Sequence, residues 1–536
     1  MSCAFAALLC ATVLVAQRPA DQGDRPDPAK AFFASGDVVH FAISLAAVDR
    51  QRLRESPREY VPASLSCDGR AAWTPIGIKL KGAAGSFRNI DENPGFTVHL
   101  GKFGATHRLH GLQRFHLNNC VQDDTRLCEW LGHEVFAAAG RPAPRVAHAI
   151  VSLDGARLGL YVLREAFDEQ FLRRAFGTTQ GNLYDGGFCQ DVDGDLEKDA
   201  GSGPDDRSDL RDLCEICRGA PTERVAKLAA RLDVDAFLDF VAIEAMLGHW
   251  DGYSQNRNNF RLWSAVPPGL GQFLPHGMDQ LFGDAEASVL AHPSALVASA
   301  VLQHAPWRQR YRERLRALLP LLAPQRLRKP LEAAAARLQR ELRRVDDGTA
   351  RTHAEAVRNL LERITARYAS LREQVKAPEP KPLQFEGNKP VALRTWQPAD
   401  ATDAITFKPT RPAAGAHRGA LLEIAIDARG MEPQAAAWRT SVLLRQGRYR
   451  LLATVRCRGI EAPPKGDGGQ PAGGVRLAVG DARSDRLFGD QSWRELVCEF
   501  EVQEYQRDVE LQLGLRAMAG AATFRGDSLR LERAPR

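Results

Sequence analysis

GHWDGYSQNRNNFRLW, residues 248–263, is the stretch on which the reading of this chain turns. It crowds polar residues between a strongly helical run, VAKLAARLDVDAFLDFVAIEAMLGHW, and a β-like FRLW, and HGMDQLFGD (276–284) follows it. Asp251 and Asn256 stand five residues apart, a spacing with a chemical use. An aspartate can accept the proton of an attacking hydroxyl, and an asparagine five residues on can turn back to hold a metal ion. Asp279 offers a second carboxylate, a hard oxygen of the kind Mg²⁺ prefers. The same Asp and Asn would also serve a loop whose side chains merely cap turns, so spacing alone leaves both readings open.

Working outward, the N-terminal side is rich in strand signals. Val39, Phe41 and Ile43 alternate in DVVHFAISLAA, and TPIGIKLKG (74–82) runs into the turn GAAGSFRN. FTVHL (96–100), RVAHAIVSL (145–153) and LGLYVL (158–163) add further strands. DDTRLCEWLGHEVFAAAG (123–140) has helical spacing and stops at Gly140 before Pro142. On the C-terminal side, residues 295–376 read almost wholly as amphipathic helix, broken at Pro306, Pro320, Pro324 and Pro330. A strand-rich lobe followed by a helical lobe predicts an α+β, two-lobed domain with a ligand cleft between lobes. A proline-charged linker, residues 377–384, then leads to alternating segments over 385–536 separated by Gly, Asp and Pro turns. Those predict an all-β sandwich or jelly roll.

A chain of 536 residues exceeds one core, and two or three domains are expected. With 26% charged residues and a net charge of +6 spread over many arginines, no Lys/Arg block is dense enough for a nucleic-acid footprint. The apolar run Met1–Ala16 before QRPADQGDRPDPAK predicts a signal peptide over residues 1–17, although no Lys or Arg precedes it. No later stretch is apolar enough to span a bilayer, so export without a transmembrane anchor is expected. Beyond that leader eight cysteines remain, an even number that permits disulfides without assigning them. Cys214-Glu-Ile-Cys217 lacks the second ligand pair that a zinc site needs.

His249-x-Asp251 followed by Asn256 has the spacing of a kinase catalytic loop, and Asp279-Gln-Leu-Phe-Gly283 loosely matches Asp-Phe-Gly with two residues inserted. A larger set of ordered blocks surrounds it: VVHFAISLAA, REYVPASLSCDG, IGIKLKG, FHLNNCVQDDTRLCEWLGHEVFAAAGRPAPRV, GLYVLREAFDEQFL, GHWDGYSQNRNNF and HGMDQLFG, then RQRYRERLRALL and ITARYASLREQV. In order and spacing these resemble the CotH (spore coat protein H) kinase family, giving a kinase-like domain over 35–376. The resemblance implies ATP and Mg²⁺ as cofactors and phosphorylation of protein hydroxyls. It implies Asp251 as catalytic base and Asn256 and Asp279 as metal ligands. Lys81 matches a basic residue facing the ATP phosphates, with Lys79 on the same strand face as the substitute. Glu165 matches the acidic partner that orients such a lysine, and Gly82, Gly85 and Ser86 could let backbone approach phosphate. Asn258 and Asn259 fall in the family's Asn-rich stretch.

Two departures stand out. DENPGFTVHL carries Asn93 where many members have lysines, and CQDVDGDLEKDAGSGPDDRSD (189–209) is insertion-like. Its Asp191, Asp193 and Asp195 alternate as in a calcium loop, but Leu196 and Ser202 replace residues such a loop requires. The C-terminal region is similar to jelly-roll carbohydrate-binding modules, with Trp396, Trp438 and Trp493 as sugar-stacking or core residues and Cys457 and Cys498 as a disulfide candidate. The expectation is an exported atypical protein kinase acting on Ser, Thr or Tyr of surface proteins, itself included. The alternative is an inactive surface protein whose sandwich binds polysaccharide or protein partners.

Overall fold

The computed structural model describes residues 27–266, 269–289, 293–379, 381–387, 389–410, 420–428, 432–461 and 473–534. The leader expected over 1–17 lies outside the described residues. The chain divides into two compact units of mixed α and β structure. One holds the described residues up to Ala287 with Ala295–Val297 and Gln309–Val375; the other holds Ser288–Ser294, Ala298–Arg308 and Lys376–Arg536.

Seven strands of the first unit close into a barrel: β1 (Val38–Ser44), β2 (Val61–Cys67), β3 (Trp73–Lys81), β4 (Gly95–His99), β5 (Arg114–Asn118), β6 (Val146–Leu153) and β7 (Ala156–Glu165). The order around it is β1-β2-β3-β4-β5-β7-β6, and β1 closes it by pairing parallel to β6. Closure leaves no strand edge unpaired. Alternation sends Phe41, Ile76, Ile78, Leu80, Phe96, Val98, Phe115, Leu117, Tyr161 and Leu163 into the barrel core. By the same period Lys79, Lys81, Thr97, His116, Asn118 and Arg164 point outward from β3, β4, β5 and β7. The barrel therefore carries a polar stripe on its outside, and that stripe decides where the chemistry is.

A second, four-stranded sheet runs β11-β10-β8-β9, from β8 (Gly181–Asp185), β9 (Glu197–Ala200), β10 (Phe260–Ala265) and β11 (Gln272–Pro275). The helix Val234–Leu247 is buried nearly all round. Asp233 caps its start by accepting from Ala236 N at 2.9 Å, and Gly248, at φ +63, ends it in the left-handed conformation. Its last carbonyls are not left bare. Arg367, fully buried on the helix Asp347–Gln374, donates to Ala245 O and Met246 O, and also to Ala285 O and Ala287 O. One guanidinium thus ties the segment before His249 to the segment after Asp279.

In the second unit ten strands make one hydrogen-bonded sheet, built on two strands of 28 and 29 residues, Gln434–Glu461 and Gly489–Ala517. Among the described residues all ten strands are joined in that one sheet. Both long strands change face midway: Ala436, Trp438 and Leu444 point into the core before an irregularity at Arg445/Gly447, and Tyr449, Leu451 and Val455 after it. An extra residue at a bulge reverses which side faces in, so one apolar cluster can draw on both halves. Trp438 belongs to that core, Trp396 packs against it, and the Trp493 ring lies against Arg456 at 5.0 Å. Cys457 and Cys498 are free thiols, placed opposite Gln491 and Leu451 respectively, so the disulfide considered from sequence is not formed.

Arg367→Met keeps most of the apolar bulk but strands four carbonyls, that of Met246 fully buried and the others partly so. Chemical denaturation is expected to show a loss of about 3 kcal/mol or more, as for other buried polar groups left without partners.

Candidate active site

Glu129 enters from the helix Cys128–Ala138 to meet the polar stripe on the barrel. Lys81 Nζ donates to Asn118 Oδ1, and Asn118 Nδ2 donates in turn to Glu129 Oε2. The amide is a two-way bridge, able to accept from the ammonium and donate to the carboxylate at once. Gly95, opposite Lys81 on β4, leaves room for this; a Cβ there would stand 3.1 Å from Lys81 Cγ. Burial and the Arg164 guanidinium press the Lys81 ammonium down to about 8. Burial alone would raise the Glu129 carboxyl. His133, Arg164 and Lys81 outweigh it and hold the group at about 2. Glu129 Oε1 is buried and makes no hydrogen bond; Arg164 Nε at 3.7 Å and His133 Nε2 at 3.9 Å are too distant.

Asp279 completes this cluster. Burial first, then Glu129 and Asp123, push its carboxyl up to about 7, with Lys81 pulling the other way. The glycine turn after β3 lies beside it in sequence with Lys81. Gly82, at φ +117, has no room for a Cβ against the Phe87 backbone, at 2.9 Å. Ser86 Oγ accepts from Ala83 N, and Asn119 Nδ2 fastens the turn by donating to Ser86 O at 3.1 Å and to Asn93 O at 2.7 Å. Asn93 Oδ1 in turn accepts from Tyr161 OH.

The Asp251 carboxylate is held by three amides. Oδ1 accepts from Asn256 Nδ2; Oδ2 accepts from Asn258 Nδ2 at 3.1 Å and Asn259 Nδ2 at 2.8 Å. The carbonyl oxygens of the three asparagines have different surroundings. Asn258 Oδ1 accepts from Cys189 N at 3.4 Å, and Asn259 Oδ1 lies so near Gly277 that a Cβ there would be 2.2 Å away. Asn256 Oδ1 accepts no hydrogen bond among the described residues. His249, pressed down to about 4 by burial, faces Gly277 O with Nε2 at 3.2 Å, and His276 N donates to Asn259 O at 3.1 Å. These bonds fix the Asp251 segment against the 276–279 segment that carries Asp279.

The structure thus places Asp279 within electrostatic reach of Lys81, without a direct ion pair, and joins Asp251 to Asn256. Glu165 has a different place from the one expected. It is engaged by Arg145 Nη2 at 2.8 Å and Arg174 Nη2 at 2.7 Å, and the acidic partner of Lys81 is Glu129. A carboxylate at a strand end was captured by local arginines. Lys79 shares the outer face but lies over the Tyr60 ring, 5.1 Å from its centre. Asp191, Asp193 and Asp195 do not converge: they bond Tyr253 OH, Arg218 and Arg207 respectively. Among the described residues no three His, Cys, Asp or Glu side chains are disposed to hold a metal. A site of one amide and one carboxylate would suit Mg²⁺, which keeps waters and phosphate oxygens as its other ligands.

Glu244 was not visible from sequence. It is buried on the Val234–Leu247 helix, accepts from Tyr253 N at 2.8 Å and Ser254 N at 3.1 Å, and leaves no room for a Cβ on Gly252. It sits seven residues before Asp251 within an otherwise apolar helix face, which is the signal that could have found it.

The model of the family described as CotH kinase protein matches residues 81–371, more than half of the chain. The chain belongs to that family. Inner spore coat protein H of Bacillus subtilis (strain 168) is 24% identical over 196 residues, covering 33% of this chain and 51% of that protein. The chain therefore spans about half the length of this curated relative. Two solved structures also show likeness over 27% of the chain. TmCBM61 in complex with beta-1,4-galactotriose has 16% identity, 91% of its own length covered and a TM-score of 0.19. The CBM22-1 xylan-binding domain from Paenibacillus barcinonensis Xyn10C has 14% identity, 89% covered and a TM-score of 0.17. At such scores neither likeness defines the fold of the second unit. Among the described residues no helix is long and apolar enough to cross a membrane.

Burial raises the Glu244 carboxyl to about 7, from an ordinary value near 4.5. A raised carboxyl stabilises the fold fully below its unfolded value and loses that contribution as pH rises through about 7. Wild type is therefore expected to lose about 3 kcal/mol between pH 4.5 and 8 from this group. Glu244→Gln should flatten that part of the profile in urea titrations at the two pH values; an unchanged slope would exclude Glu244 as its source.

Proposed function

We propose that this chain is an ATP- and Mg²⁺-dependent protein kinase that phosphorylates Ser, Thr or Tyr hydroxyls of proteins at the cell surface or envelope, itself included. The observation that carries this reading is the Lys81–Asn118–Glu129 chain of hydrogen bonds, with the Asp279 carboxyl within electrostatic reach of both charges. Burial has left two features a cation would relieve, an Asp279 carboxyl raised to about 7 and an unpartnered Glu129 Oε1. Residues of the barrel and of the segments after the Val234–Leu247 helix would play the parts that the two lobes of a kinase play.

Within that reading, Asp251 accepts the proton of the attacking hydroxyl, its carboxylate aimed by the amides of Asn256, Asn258 and Asn259. Asn256 Oδ1 and the Asp279 carboxylate would hold the metal, which when bound supplies charge neutralisation on the phosphates. Lys81 presents its ammonium to phosphate oxygens, and Glu129 fixes that ammonium through Asn118 rather than by direct contact. Ser86 and the backbone of residues 82–86 approach the same phosphates. Catalysis of this kind is mostly positioning and electrostatics. Export is part of the proposal through the leader expected over residues 1–17, and it supports surface proteins as the substrate class.

The test is transfer of labelled γ-phosphate from ATP–Mg²⁺ to the full chain and to a generic protein substrate. Asp251→Ala is expected to lower transfer by about 100-fold or more while leaving the circular dichroism spectrum unchanged. Asn118→Leu, which removes the bridge and no charge, should also impair transfer. A wild-type chain that takes no label and gives no heat with ATP–Mg²⁺ would end the proposal.

A further inference from the structure

The outer face of the second unit's sheet gathers arginines that lie far apart in sequence. With Val475, Leu477, Val479, Leu511, Leu513 and Leu515 in the core, Arg476 and Arg516 must point to the opposite side. Arg483 pairs with Ala478 and so shares that side. The registers put Arg516 beside Gly474, Arg476 beside Gly514 and Arg483 beside Ala478. The three cations therefore form a diagonal across adjacent strands, at steps of about 8 Å by strand geometry. Between them lie small residues, Gly474, Gly514, Ala437 and Ala478, with the Phe488 ring and the Leu487 carbonyl close against Gly474.

Nothing among the described residues neutralises this diagonal. Arg439, on the same face, is engaged by Asp400 and by Glu510, the latter at 3.9 Å, whereas Arg476, Arg483 and Arg516 form no ion pair. Burial, and then Arg483, Arg486 and Arg516, make it harder for Arg476 to carry its charge. An anion relieves such mutual repulsion, and guanidinium forks match carboxylates two bonds at a time. The chemistry of the neighbours narrows the anion. Gln397, beside Arg439, and Gln512, beside Ala478, add amides suited to hydroxyls, Gln512 through its carbonyl oxygen since its Nε2 donates to Glu510 Oε1 at 2.6 Å. Trp438 is in the core and Trp493 is covered by arginines, so neither indole lies on this floor of small residues, and the Phe488 ring stands against Gly474 at its end.

We propose that this face binds an acidic polysaccharide, its uronate-type carboxylates meeting Arg516, Arg476 and Arg483 and its hydroxyls meeting Gln512 and Gln397. The site is independent of phosphoryl transfer and of the residues that would perform it.

Affinity electrophoresis of the full chain in gels containing polygalacturonate tests this, with neutral galactan and a dT20 oligonucleotide in parallel. Retardation by polygalacturonate alone, weakened by added salt, is the expected result. Arg476→Gln/Arg516→Gln should raise the dissociation constant about tenfold or more, since each charge-assisted contact is worth a few-fold. Arg458→Gln, which removes a cation paired to Glu423, should leave it unchanged. The proposal fails if the double variant binds like wild type, if galactan retards the chain equally, or if dT20 binds as tightly as polygalacturonate. A double variant that misfolds is replaced by Gln512→Ala, expected to weaken binding several-fold; no effect there also counts against it.

Discussion

An ammonium group at the end of a β-strand, partly withdrawn from water, has to be compensated by whatever the fold brings to it, and much of the first unit follows from how Lys81 is compensated. Withdrawal of a cation into protein costs several kcal/mol unless an opposite charge and good hydrogen bonds accompany it. The chain does not place a carboxylate in direct contact. It places Asn118 between Lys81 and Glu129, and both partners come from elements fixed independently, β5 of the barrel and the helix that covers it. The arrangement is stiff because the amide has one orientation that serves both neighbours. It also leaves one oxygen of Glu129 unsatisfied, so the cluster is compensated in charge but incomplete in hydrogen bonds.

How much of this was legible in the sequence depends on how far apart the partners lie along the chain. The Asp251–Asn256 constellation is contained in one short stretch, and its spacing is visible without a fold. Barrel strands β1, β3, β4, β6 and β7 and the Cys128–Ala138 helix were legible because alternation and the 3.6-residue period are local properties, whereas β2 and β5 emerge only with the barrel. Glu129 was not, since its meeting with Lys81 requires the register of β3, β4 and β5 and the helix laid across them. Glu165 was expected to partner Lys81 through the family resemblance, and only the fold shows Arg145 and Arg174 engaging it. In the second unit the strand segments read correctly as β, yet their fusion into two strands of 28 and 29 residues depends on bulges that reverse facing. The arginine diagonal follows only from register, and composition reads it as scattered surface charge.

Adjacent residues Asn118 and Asn119 show how one strand end does two jobs. Strand alternation gives them different outlooks, so Asn118 serves the charges while Asn119 secures the glycine turn through two carbonyls. The turn could not carry side chains at Gly82 without moving Phe87, and it has no strong intrinsic preference for one shape. An amide donor from the barrel supplies the preference. Before this strand Asn93 is held by Tyr161, so the segment is anchored by a buried hydroxyl.

The remaining question is what keeps Asp279 in register with Asp251, since the two belong to segments separated by β10 and β11. Three contacts answer it, and all use backbone on at least one side: His249 Nε2 against Gly277 O, His276 N to Asn259 O, and Asn259 packed where Gly277 has no side chain. Burial keeps His249 neutral over the physiological range, so its ring can act as a fixed donor to Gly277 O. Glu244 bonds the same segment from below and Arg367 bonds the helix end and the 285–287 backbone. A displacement of either segment would have to break bonds at several of these points together. The two carboxylates are thus positioned by a common framework, which is why a polar segment of this length can hold its shape without a regular element running through it.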